Sequence, residues 1–154
     1  MNLTPHFTRD EFESSGTAAR LNINNSLPEH LMGNAAATAA MLETIRDRLS
    51  ARAGRDIPIR ITSGYRCQAL NDRIGGSAGS HHLTAQAADF VAPEFGTPYE
   101  ICRALQPVVD ELGIGQLIHE YGRWVHVSTV RPSRVVNRVI TITAAGTTGG
   151  IQQA

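Results

Sequence analysis

The chain has 154 residues, enough for one domain with a real core and too few for two comfortable ones. Hydrophobic residues make up 42% and charged residues 18%, a globular mixture that excludes wholesale disorder. Fourteen basic and fourteen acidic residues cancel, so no net charge draws the protein to nucleic acid or to an anionic membrane surface.

From the N-terminus, the first ten residues contain neither a basic n-region nor an apolar h-region, so no signal peptide is expected. Residues 7–16 read as a short helix capped by Thr8, with Glu11 completing a capping box. Over 28–53, Ala35, Ala39, Leu42, Ile45 and Leu49 recur at helical spacing and Gly54 suits the stop, which predicts a long packing helix. Residues 57–62 alternate as a strand that ends in Ser63-Gly64-Tyr65-Arg66, and 69–74 give one or two helical turns before the loop Gly75–Gly79. Residues 86–91 form a short strand. Thr97-Pro98-Tyr99-Glu100 opens a second helix with face Ile101, Leu105, Val108 and Leu112, which Pro107 kinks or splits. Residues 115–120 and 123–130 form a hairpin, 138–143 a last strand, and the Gly/Thr/Gln segment 146–154 a flexible tail behind a single domain over 1–145.

Helices come first and strands later, without a βαβ rhythm. The expected fold is α+β, a mostly antiparallel sheet with helices packed on one face. No apolar run approaches the ~20 residues of a membrane-spanning helix, so membrane insertion is not expected. Cys67 and Cys102 match no ligand spacing and are expected as reduced thiols.

The chemistry gathers around His82, Asp89 and His126. Two imidazoles and one carboxylate are the ligand set of a catalytic zinc site with its fourth position open, which points to a metal-dependent hydrolase with one Zn²⁺ per chain. His82 precedes a strand, and Asp89 lies on it, sharing a face with Ala87 and Val91. His126 sits mid-strand with Trp124 and Ser128 on its face, while Val125 and Val127 turn to the core. Ser80 shapes the loop or lines the site, His81 lines the cleft or stands exposed beside it, and Trp124 walls the substrate groove or packs in the core.

Ser80-x-His82-x6-Asp89, Ser63-Gly64-Tyr65-Arg66, Asn71, Gly75-Gly76 and Trp124-Val125-His126-Val127 together resemble the zinc D-Ala-D-Ala carboxypeptidase family. That family shares its fold with the hedgehog signalling domain and works on peptidoglycan stem peptides. The resemblance reaches the N-terminal Phe7-Thr8-x-x-Glu11 and Asn137-Arg138, and is closest to small single-domain members carried by phages and prophages. It implies His82, Asp89 and His126 as zinc ligands and Arg66 as the arginine that meets the scissile carbonyl oxygen. A structural Arg66 that ties its loop to a carboxylate is the other reading. Two positions depart from the pattern: Ala85 stands where Gly is expected, and Arg123 where several relatives place the catalytic carboxylate.

With Arg123 unsuited as a base, the nearest carboxylate is Glu120, and the hedgehog branch has a Glu at the same offset from its last ligand. The hairpin register decides whether Glu120 reaches the metal. A three-residue loop 121–123 pairs Glu120 with Trp124 and Ile118 with His126 on one face, whereas a two-residue loop turns Glu120 away; the other reading of Glu120 is a surface carboxylate paired with Arg123. His119 faces the opposite side and is structural.

The function this supports is peptidoglycan stem-peptide hydrolysis, as a D,D-carboxypeptidase or an endopeptidase and as a phage endolysin. The competing function is a non-catalytic, zinc-stabilised wall-binding or phage structural module. A monomer made in the cytoplasm without a signal peptide is expected to reach the wall by phage-type release or within a virion.

Overall fold

The computed structural model describes residues 1–153. A two-stranded ribbon, β1 (Asn2–Thr4) and β2 (Phe7–Thr8), leads into α1 (Arg9–Glu13). Thr8 caps that helix: its hydroxyl accepts from the Glu11 N–H at 3.2 Å and the Glu11 carboxylate accepts from the Thr8 N–H at 2.7 Å. The expected helix 7–16 is thus a strand end plus a five-residue helix. A further helix, α2 (Gly16–Leu21), is capped by Ser15. Then α3 (Met32–Ala53) buries Ala35, Thr38, Ala39, Met41, Leu42, Ile45 and Leu49 and ends at Gly54, whose φ of 71° a side chain would resist.

The strand expected at 57–62 forms as β3 (Arg60–Ser63), followed by α4 (Gln68–Arg73), β4 (Ala87–Val91) and α5 (Pro98–Leu105). At Pro107 the helix gives way to a 3-10 turn over Gln106–Val108, as the missing N–H of proline requires. The hairpin is β5 (Gln116–Glu120) and β6 (Trp124–Ser128), and β7 (Val139–Thr143) and β8 (Gly146–Gly149) complete the sheet.

Strand order is β3-β4-β6-β5-β7-β8. The sheet is mixed, which corrects the expectation of a mostly antiparallel one: β5 and β7 run parallel, and their neighbours pair antiparallel. Because β7 opposes β6, the connection 129–138 has only to step over the end of β5, so no crossover helix announces the parallel pair. A second correction concerns the tail. Residues 146–149 pair with β7, and Ile151 is buried in the core, so the segment closes the sheet edge instead of trailing from it.

One face of the sheet packs Ala88, Phe90, Leu117, Val125 and Val127 against α3 and α5. Burying each larger side chain there stabilises by roughly 2–3 kcal/mol. The other face is open. The short helices α2 and α4 stand at its rim, where Gly16 and Leu70 line a cleft, so the helices are not confined to one face.

Candidate metal centre and cleft

The register of the central strands assembles the centre. Asp89 on β4 lies opposite His126 on β6, and His126 lies opposite Ile118 on β5, one row across three strands. Glu120 pairs with Trp124 across a three-residue loop, so the hairpin adopts the register that turns Glu120 to the same face as His126. His82 arrives from the 3-10 turn His81–Thr84 just before β4.

His82, Asp89 and His126 are all buried, and their ligand atoms lie within 4.8 Å of one another. The His82 Nδ1–H donates to the Gly64 carbonyl at 2.6 Å, which leaves its Nε2 as the lone-pair nitrogen. That Nε2 is buried with no hydrogen-bond partner and sits 3.3 Å from Asp89 Oδ1. His126 presents Nδ1 at 2.8 Å from the same oxygen. An orphaned buried acceptor beside a carboxylate and a second imidazole is what a metal ion satisfies, so these residues fit a zinc ion with an open fourth position.

Burial by itself would raise the Asp89 carboxyl, but the two imidazoles outweigh it and hold it well below its usual range. Asp89 is therefore ionised, as a ligand must be. Glu120 goes the other way: burial first, and then the nearby Asp89 charge, push it above the ordinary carboxylate value. Its Oε1 is 3.8 Å from His126 Nδ1. The Trp124 indole N–H is buried close enough to temper that shift, yet its geometry leaves it without a hydrogen-bond partner.

Arg66 lines the cleft, donates through Nη2 to Ser80 Oγ at 3.2 Å, and keeps a buried Nε unpartnered. Burial lowers its pKa and the Asp89 and Glu120 charges oppose that, leaving a guanidinium. It makes no ion pair among the described residues, which disfavours the reading as a loop tie. Ser80 both holds Arg66 and caps the ligand turn, its Oγ accepting from the His82 N–H at 3.2 Å. His81 is half-buried, lines the cleft and bonds Ser128 Oγ through Nδ1 at 2.9 Å. Trp124 is half-buried at the cleft wall.

His119 is buried on the core side, donating from Nδ1 to the Gln152 carbonyl at 2.9 Å, and takes no part in the site. Arg123 is exposed and does not pair with Glu120. Cys67 and Cys102 are free thiols, and burial raises Cys102 to about 12.

The supporting parts were less visible in the sequence. Gly64 must be glycine, since an added Cβ would meet the Phe12 backbone at 2.7 Å, and this close approach sets the carbonyl that orients His82. Thr38 and Asn34 of α3 reach across to the carbonyls of Ala85 and Thr84, at 2.8 and 3.0 Å, and hold the ligand turn from behind. Gln116, Ile118 and Ile142 add to the floor of the cleft, which encloses about 780 Å³. Only the alternation of β5 and β7 could have pointed to them, and it does not say which face is open.

A search of the curated proteins gives no match to the chain. A family model described as Peptidase M15 matches residues 5–128, a span that holds the three candidate ligands, Arg66 and Glu120.

Proposed function

The chain belongs to the peptidase M15 family, a family of zinc-dependent metallopeptidases, and from that premise we propose that it hydrolyses peptide bonds in peptidoglycan stem peptides. The observation that carries this reading is the convergence of His82 Nε2, Asp89 and His126 Nδ1 beside the Glu120 carboxylate.

His82, Asp89 and His126 would hold the zinc ion of this family, which when bound would supply an acidified water and polarisation of the scissile carbonyl. Glu120 takes the proton of the attacking water and hands it to the leaving amine, and burial with the Asp89 charge shifts its pKa upward, the direction that favours holding the proton between the two halves of that transfer. Arg66 faces the negative charge that develops on the carbonyl oxygen, a role worth about 3 kcal/mol for a well-placed donor. The Gly64 carbonyl fixes the His82 tautomer throughout. In the narrower form of the proposal the enzyme is a D,D-carboxypeptidase or endopeptidase of phage type acting outside the cytoplasm. Among the described residues no helix is long and apolar enough to cross a membrane.

The test is digestion of purified sacculi by zinc-loaded protein, with fragments weighed by mass spectrometry. Glu120→Gln should keep stoichiometric zinc and lose roughly 10²–10⁴-fold in rate. Zinc-loaded wild type that frees no amine from any wall type would overturn the peptidase reading in favour of a binding module.

A further inference from the structure

The cleft does not end at Trp124. Tyr121 and Trp124 also wall a second groove of about 420 Å³, completed by Arg123 and by Thr143 and Ala144 at the β7–β8 turn. That volume is within the range of small-molecule sites. Thr143 and Ala144 lie beyond residue 128, where the family match stops.

Two observations point to a ligand. Tyr121 takes a φ of 56° as a central residue of the hairpin turn closed by the Arg123 N–H on the Glu120 carbonyl at 3.0 Å, and in that place its ring is 48% exposed and stands 5.6 Å from the Trp124 ring, tilted by 57°. No Asp or Glu lines the groove, and Arg123 makes no ion pair among the described residues. Tyr, Trp and an unpaired Arg are the residue types that concentrate binding energy, and a guanidinium matches a carboxylate with two parallel hydrogen bonds.

Direction follows from Glu120. It pairs with Trp124 and precedes Tyr121, so the groove opens on the side where the proton would be delivered. We propose that the hairpin groove holds the leaving-amine side of the substrate and that Arg123 pairs with the carboxylate of that fragment. The assignment of sides rests on the peptidase reading with Glu120 as the proton carrier.

The probes are D-alanyl-D-alanine with a free carboxylate and its C-terminal amide, titrated into the zinc-loaded full chain by NMR. Wild type should bind the acid roughly tenfold tighter than the amide. In Arg123→Gln that ratio should fall to about one, and in Tyr121→Asn, which keeps the left-handed backbone, both probes should weaken together. Equal binding of acid and amide by wild type, a ratio that survives Arg123→Gln, or no binding of either probe overturns the proposal. A protein that shows the acid preference but hydrolyses no sacculus fails the peptidase reading alone, and an active enzyme without the preference fails the groove assignment alone.

Discussion

The two faces of the central strands share one alternation and carry opposite chemistry. Toward α3 and α5 they turn Phe90, Val125, Val127 and Leu117, side chains with nothing to satisfy. Toward the cleft they turn Asp89, His126 and Glu120. His82 and His119 sharpen the contrast. Both are buried, both donate Nδ1–H to a backbone carbonyl, and both leave Nε2 without a partner. The Nε2 of His82 converges with Asp89 and His126, whereas the ring of His119 rests 5.9 Å from that of Tyr99 with no carboxylate at hand. An orphaned buried nitrogen is therefore no ligand by itself; a second and third donor make it one.

The largest expected effect comes from exchanging the roles of this pair. His82→Ala removes a proposed ligand, and since losing a partner that merely orients a ligand costs roughly 10–100-fold in metal affinity, zinc binding should weaken by more than about a hundredfold. Hydrolysis should vanish with it. His119→Leu should cost roughly 1–2 kcal/mol of stability through the lost bond to Gln152, with one zinc per chain retained. Zinc content by plasma emission and unfolding in urea read the two effects separately. A His119→Leu protein that loses its zinc would break the comparison.

The convergence of His82, Asp89 and His126 was legible because these are chemically distinctive residue types in and just before short strands, and strand alternation alone assigned Asp89 and His126 to a face. The hairpin was legible only as two alternatives, since Tyr121-Gly122-Arg123 suits either register; the pairing of Glu120 with Trp124 decides between them. What stayed hidden depends on tertiary partners. The helix α2 is six residues long and opens on Gly, so it carries no periodic signal. The strand β8 is made of Gly and Thr and looks like a tail until β7 supplies its hydrogen bonds and the core receives Ile151. Arg123 shows the limit most clearly: it read as a missing catalytic carboxylate, and the structure puts it in a groove of its own.

A smaller effect separates carboxylates that hold the fold from those that serve the cleft. Glu43 on α3 accepts from the His6 N–H and from His6 Nδ1, both at 2.8 Å, and from the Thr4 hydroxyl at 2.9 Å, fastening β1 to the long helix. Partial burial works to raise its pKa, but the bonds from His6 and Thr4 outweigh it and the net shift is downward. A carboxyl with a folded-state pKa below its unfolded value of about 4.3 stabilises fully above that value, and the contribution is lost as pH falls through the folded pKa. Wild type should thus exceed Glu43→Gln by about 1 kcal/mol at pH 7 and converge on it in acid, with zinc stoichiometry at pH 7 equal in the two. A gap that persists undiminished at low pH would remove the charge of Glu43 as its cause.

Ala85 joins the two faces and carries the smallest expected change. It ends the turn that delivers His82 with a φ of 58°, a conformation that glycine adopts at less cost, while its methyl group is fully buried in the core. Relief of the left-handed backbone in Ala85→Gly is worth about 1 kcal/mol. Loss of the buried methyl costs about 0.8 kcal/mol, and the freer unfolded chain takes back a few tenths more. The terms nearly cancel, so the urea midpoint should move by less than about 0.5 kcal/mol equivalent. Zinc affinity should hold as well, because Thr38 and Asn34 grip the carbonyls of the turn and not the side chain being removed. A drop in zinc affinity without a drop in stability would mean that the methyl itself positions His82, and that the ligand turn is held from its core side more than by α3.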